Sequence, residues 1–238
     1  MSQTEKRKQL AQNIANGLAG WYQFQLSQGF GDFFGEDSAQ LMALQILSAQ
    51  VGFDLKPSHP FAGHESDQAR LDIALFARGE KKTSYGAIEI KWLGLSTKAS
   101  TQTRVGIISD ALRLSVVAST NMKANLLVVG GLTKKFDSLF SVGTNQHEST
   151  KESRELFAKL FKQPVDKPEN AAISELSRNF GEVTKKLPKT ASLSDQDKLQ
   201  VTLLATADAA DYKSAKAGCV SVWLCLKSPG RKSRRATA

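Results

Sequence analysis

The chain reads as an α/β sandwich, a central mixed β-sheet flanked by helices on both faces. Three observations predict this. Apolar residues near the N-terminus recur at helical spacing, and two strand-like runs, RLDIALFAR (70–78) and YGAIEIKWL (85–93), follow with a polar connector between them. A further helical segment then leads into an uninterrupted apolar run, Asn125–Val129 (NLLVV). Strands without alternation are usually buried on both faces of a sheet.

The elements follow in order. Leu10, Ile14, Leu18, Trp21 and Leu26 predict one buried face of a helix over about 4–27, ended by Gly29 and Gly31. Leu41, Leu44, Ile46 and Leu47 predict a second helix over about 36–51, with Glu36 and Asp37 at its electropositive start. Phe53–Pro57 reads as a short edge strand stopped by Pro57 and Pro60. After a polar loop, 58–69, come the two strand-like runs. Val105, Ile108, Leu112 and Val116 mark a helix over 101–119 before the buried strand. Further helices are expected around 136–140, 151–161 and 169–186, and late strands near 199–205 and 219–226 that either extend the sheet or form a separate hairpin. This divides the chain into an N-terminal helical segment (1–35), a core (36–132), an α/β extension (133–227) and a basic, disordered tail (228–238).

Composition narrows the class. The 238 residues are 41% hydrophobic and 23% charged, ordinary for a globular chain. No apolar run reaches the length of a membrane span, and the polar N-terminus lacks a secretory apolar stretch, so a cytoplasmic protein is expected. Cys219 and Cys225 stand about 20 Å apart if they share a strand, at ~3.3 Å per residue, too far for a mutual disulfide. Net charge is +9 and unevenly spread: residues 131–238 hold 19 basic and 12 acidic side chains, against 13 and 11 in residues 1–130. A basic surface attracts polyanions, of which nucleic acid is the usual one; solubility alone is the alternative reading.

Chemistry concentrates where charge is expensive. Asp72 interrupts Leu71 and Ile73, and Glu89 and Lys91 interrupt Ile88, Ile90 and Trp92. Alternation along a strand puts Glu89 and Lys91 on one face, with Ala87 and Leu93, and Trp92 on the other, in the core. If the two strands pair, Asp72 meets Glu89 on that face. Two adjacent carboxylates in a partly dry site raise one another's pKa and call for a cation. A divalent ion held by two carboxylates and a backbone carbonyl, with Lys91 as a further charge, suits phosphodiester hydrolysis. The competing reading is a solvated salt-bridge ladder on an edge hairpin.

Asp72, sixteen residues, then Glu89-Ile90-Lys91 resembles the D-xn-E-x-K signature of the PD-(D/E)XK nuclease superfamily, with Leu71 where that family often has proline. The resemblance covers about residues 36–130. It implies a restriction-endonuclease-like core, with Asp72, Glu89 and the Ile90 carbonyl as ligands of Mg²⁺ (or Mn²⁺), and Lys91 positioning or deprotonating the attacking water. Glu36 occupies the place of that family's acidic residue on the helix before the sheet, although Asp37 competes for it and a helix-dipole role accounts for either. Gln102, Arg104 and Lys98 fall where DNA would be contacted, or else are ordinary helix-surface residues. The implied function is a DNA endonuclease of restriction or phage-defence type, acting as a homodimer or with a defence-system partner protein. The rival is a non-catalytic nucleic-acid-binding or assembly protein of the same fold. His59 and His64 lack companions for a zinc site, and Gly130-Gly131 is too short for a phosphate loop. Lys185, Lys186, Lys189 and the 231–235 tail are candidate phosphate contacts.

Overall fold

Strand β3 (Ser84–Leu93) sits inside a seven-stranded mixed sheet in the computed structural model. The structure describes residues 2–49, 53–60, 70–79, 84–94, 101–117, 124–141, 148–184, 187, 193–210 and 217–229. Strands β1 (Phe53–Pro60), β2 (Arg70–Ala77) and β3 form an antiparallel meander. Helix α3 (Thr101–Val117) then crosses over to β4 (Ala124–Leu132), which runs parallel to β3. The late strands β6 (Lys198–Ala210) and β7 (Ala217–Ser228) extend the same sheet, because β7 pairs antiparallel with β4. The order is β1-β2-β3-β4-β7-β6-β5, with β5 the short edge strand Pro168–Ala172. An α/β sandwich with helices on both faces is therefore what this sequence forms.

Each face carries its own core. Helix α1 (Gln3–Ser27) and α2 (Glu36–Ser48) cover one, burying Ile73, Leu75, Ile88, Ile90 and Trp92. On the other, α3, α4 (Thr133–Phe140), α5 (Glu148–Phe161) and α6 (Ile173–Phe180) cover Ala74, Phe76, Ala87, Leu93, Leu127 and Trp223. Period-two alternation along β2 and β3 assigns these sets, so Trp92 does lie in the core, against Tyr22 and Phe34. Any side chain at Gly130 would run into the Trp92 ring, which explains a glycine in a buried strand. Helix α1 is started by a reciprocal capping box between Ser2 and Glu5.

Four expectations need correction. Trp21 is 41% exposed, and Tyr22 takes the buried position, because Leu18, Tyr22 and Leu26 keep the four-residue spacing that stays on one stripe. In α2 the buried residues are Ala39, Ala43 and Leu47, and Leu41 faces outward. β1 runs past Pro57 to Pro60, since an outermost strand needs no ladder donor on its open side. The segment 169–186 is not one helix. Pro168–Ala172 pairs with β6 as edge strand β5, and only then does α6 begin, ending at Gly181 with φ 66°. Local helix preference yields there to sheet pairing.

Cys219 and Cys225 are buried free thiols on β7. Burial pushes the Cys219 thiol up to about 12, so neither behaves as a reactive thiolate. No helix among the described residues is long and apolar enough to cross a membrane. The 230–238 part of the tail, with Lys98, His64, Lys185, Lys186 and Lys189, lies outside the described residues.

Candidate active site

Strands β2 and β3 stay paired from Phe76↔Ser84 to Ile73↔Ile88, and the site opens one residue further on. There side chains take over the ladder. An Asp72 carboxylate oxygen, Oδ2, accepts the Ile90 N–H at 2.7 Å, and Gln40 Nε2 from α2 donates to the Asp72 carbonyl at 2.7 Å. A strand residue sends its N–H and C=O toward the same edge, so the Ile90 carbonyl also points to the side where Asp72 stands.

Glu89 and Lys91 share the face covered by α3, as alternation requires, and α3 meets them with two ionic residues of its own. Arg113 Nη2 lies 2.7 Å from Glu89 Oε2 and 3.0 Å from Asp110 Oδ1. Lys91 Nζ lies 3.3 Å from Asp110 Oδ2 and 3.0 Å from Glu36 Oε1 at the start of α2. A continuous chain results: Glu36, Lys91, Asp110, Arg113, Glu89. Of the residues singled out in the sequence, Glu36 and Lys91 meet directly, Glu89 joins them through Asp110 and Arg113, and Asp72 stands on the Ile90 N–H with its charge felt at Glu89 and Lys91.

The electrostatics are those of an acidic cluster that is dry at Glu89 and opens to solvent at Glu36. Glu89 is 1% exposed, and its second oxygen, Oε1, is sealed from solvent with no hydrogen-bond partner. Burial drives its carboxyl well above the usual range; Arg113 opposes this, and the Asp110 and Asp72 charges add to it. Burial likewise raises Asp72, against the pull of the Ile90 N–H and Lys91. For Lys91 burial disfavours the charge, but Asp110, Glu36 and Asp72 outweigh it and hold the ammonium above its ordinary range. Arg113 is raised in the same way by Glu89 and Asp110. Four carboxylates (Glu36, Asp72, Glu89, Asp110) face two cations (Lys91, Arg113), so the fully ionised cluster carries a charge of −2. A buried acceptor without a donor, in a cluster two positive charges short, suits a divalent cation. Among the described residues, however, no three His, Cys, Asp or Glu side chains already converge on one metal position.

The proposed DNA contacts fare differently. Arg104 is 1% exposed, and its Nη1 donates to the Leu139 carbonyl at 3.1 Å, tying α3 to α4. That guanidinium is turned into the protein, away from any nucleic-acid face. Gln102 is exposed at the beginning of α3, about 12 Å along the axis from Asp110 at ~1.5 Å per residue.

Asp110 and Arg113 are the residues that the sequence reading missed. Standing three apart on a helix, they look like a local surface pair. The available signal was the surrounding composition: Ile107, Ile108, Ala111, Leu112 and Leu114 are all buried, leaving no broad solvent face for charges. In comparisons with protein-family models, characterised proteins and solved structures, nothing matches this chain.

Proposed function

We propose that the protein is a divalent-metal-dependent nuclease that hydrolyses DNA phosphodiester bonds, built on a restriction-endonuclease-like core. One observation carries the reading: Glu89, buried at 1% exposure with Oε1 unpartnered, stands at the point where β2 and β3 part and Asp72 turns its carboxylate onto the Ile90 N–H. Protein interiors rarely hold such a group without a use for it.

In this reading Asp72, Glu89 and the Ile90 carbonyl hold Mg²⁺ or Mn²⁺, with water completing the shell. The chemistry supplied by the bound ion is polarisation of the phosphate and a lowered pKa for a coordinated water. Lys91 works as a cation. Its carboxylate neighbours keep it protonated, so it stabilises charge developing on the phosphate and orients the water, and does not remove the proton itself. Glu36 acts through Lys91, fixing the ammonium at 3.0 Å. Arg113 neutralises Glu89 from the helix side and competes with a metal for that carboxylate. The narrower assignment, a restriction-type or phage-defence endonuclease acting as a homodimer or with a partner, rests on the D-xn-E-x-K resemblance alone.

A second reading has its own support. Each of the four carboxylates is already engaged through at least one oxygen by Lys91, Arg113 or a backbone N–H, as in a structural ion network on a non-catalytic nucleic-acid-binding or assembly protein. One experiment separates the two. Plasmid and linear DNA are incubated with the protein and Mg²⁺, Mn²⁺ or EDTA, beside Asp72→Ala and Lys91→Ala. Metal-dependent nicking lost by about a hundredfold or more in both variants is the expected result. Binding without cleavage in either metal assigns the protein to the second reading.

A further inference from the structure

The end of α1 and the start of α2 present a second surface, apart from the ionic cluster. Trp21, Phe24, Phe30, Phe33 and Leu41 are all exposed, Phe33 to 81%. They form pairs, Trp21 edge-on to Phe24 at 5.9 Å and Phe30 against Phe33 at 6.4 Å, and the two pairs are joined where Trp21 and Phe33 line one cavity with Leu41. Between the helices lies a cavity of about 190 Å³ lined by Trp21, Gln25, Phe33, Phe34, Leu41 and Met42, among others. Large apolar side chains left in water forgo the stabilisation that burial gives, and clustered exposure of this kind marks an interaction site.

Charge decides the occupant. In a protein of net charge +9, residues 9–55 contain no Lys, Arg or His, and four acids: Asp32, Glu36, Asp37 and Asp54. The cavity lining holds no cation. Nucleic acid needs cations against its phosphates, and the side chains that line the cavity offer none. A second copy docked face to face would set the acidic start of α2 against itself. An apolar segment bearing Lys or Arg satisfies both features.

We infer that the α1–α2 groove is a docking site for a positively charged amphipathic segment of another protein, which seats an aromatic or leucine anchor in the Trp21–Phe33–Leu41 cavity. The segment lies between two helices, as a helix in a groove does. This surface stands whether or not the ionic cluster is catalytic, because neither Glu36 nor Lys91 lines it. α2 nevertheless serves both sites: Glu36 and Gln40 reach the cluster, while Leu41 and Met42 line the groove.

The test pans a random peptide library against the full chain, with counter-selection on a Phe33→Ser/Leu41→Ser double variant whose fold is checked by circular dichroism. Peptides carrying aromatic or Leu anchors and a net positive charge are expected. Synthetic copies should bind the double variant at least about tenfold more weakly. They should also shift to shorter wavelength the emission of Trp21, since Trp92 and Trp223 are already buried. No enrichment over the double variant, or enrichment of neutral or acidic peptides, overturns the inference. So does a sedimenting dimer abolished by the double variant, which assigns the surface to a second copy. Loss of oligonucleotide binding in that variant would assign it to nucleic acid and overturns the inference equally.

Discussion

Arg113 Nη2 rests 2.7 Å from Glu89 Oε2, so the most buried carboxylate of the cluster is neutralised from α3 and not from its own sheet. The pair is incomplete, because Oε1 on the same carboxylate has no partner. Burial outweighs Arg113, and the Glu89 carboxyl stands well above its ordinary value.

That balance has a pH signature. An unfolded Glu titrates near about 4.3. Between that value and the raised folded one, the native state holds the proton that the unfolded state has released, so stability falls as pH rises through the window. Glu89→Gln removes the titration. Without metal, the variant should match wild type in Tm near about pH 4 and exceed it near about pH 8, with a flatter pH dependence between. Thermal melts across pH measure this directly. Parallel curves for the two proteins would show that Glu89 carries no such penalty.

Arg113→Met should be costly. It leaves Glu89 and Asp110 without their shared cation, and breaking a buried pair costs about 3–5 kcal/mol. Added Mg²⁺ should then raise the Tm of the variant more than that of wild type, since the ion no longer competes with a guanidinium for Glu89. Equal metal shifts in the two proteins would place Arg113 outside the metal's field and leave it a purely structural cation.

Arg104→Met tests the other guanidinium of α3. Its contact is the Leu139 carbonyl, so the substitution should lower stability by about 1–3 kcal/mol. The affinity for DNA, and its dependence on salt, should be unchanged. A reduced salt slope would put Arg104 on a phosphate after all.

Why some of this was legible in the sequence and some not follows from the range of the interactions. Asp72, Glu89 and Lys91 were readable because strand alternation is a period of two, and charges between Ile88, Ile90 and Trp92 have few places to go. Helix α3 and strand β4 are readable as elements, from one helical stripe and one unalternating strand, whereas their parallel crossover onto β3 is not. Trp21 and Leu41 are placed wrongly by the sequence because hydrophobicity alone does not distinguish a core residue from an exposed apolar one. Asp110 and Arg113 were missed because their partners are long-range: Arg113 meets Glu89 from 24 positions away in sequence. β5 was taken for a helix because its strand character comes from pairing with β6, not from Pro168-Glu169-Asn170-Ala171-Ala172 itself.

Lys91 supplies the last test. Asp110, Glu36 and Asp72 keep its ammonium protonated, so under the proposed nuclease reading its contribution to cleavage is positive charge at a fixed point. Lys91→Arg preserves that charge, and it should retain cleavage within about a hundredfold of wild type while Lys91→Gln falls further. The pH–rate profile discriminates more sharply than the rates. If a metal-bound water is the group that ionises, the rising limb keeps its position in Lys91→Arg, because that ionisation belongs to the water. If Lys91 were the base, the limb would vanish with the substitution, since a guanidinium does not give up its proton in this range. Glu36→Gln should act in the same direction as Lys91→Gln but more weakly, loosening the ammonium without removing it, so that the amplitude falls and the limb stays where it was.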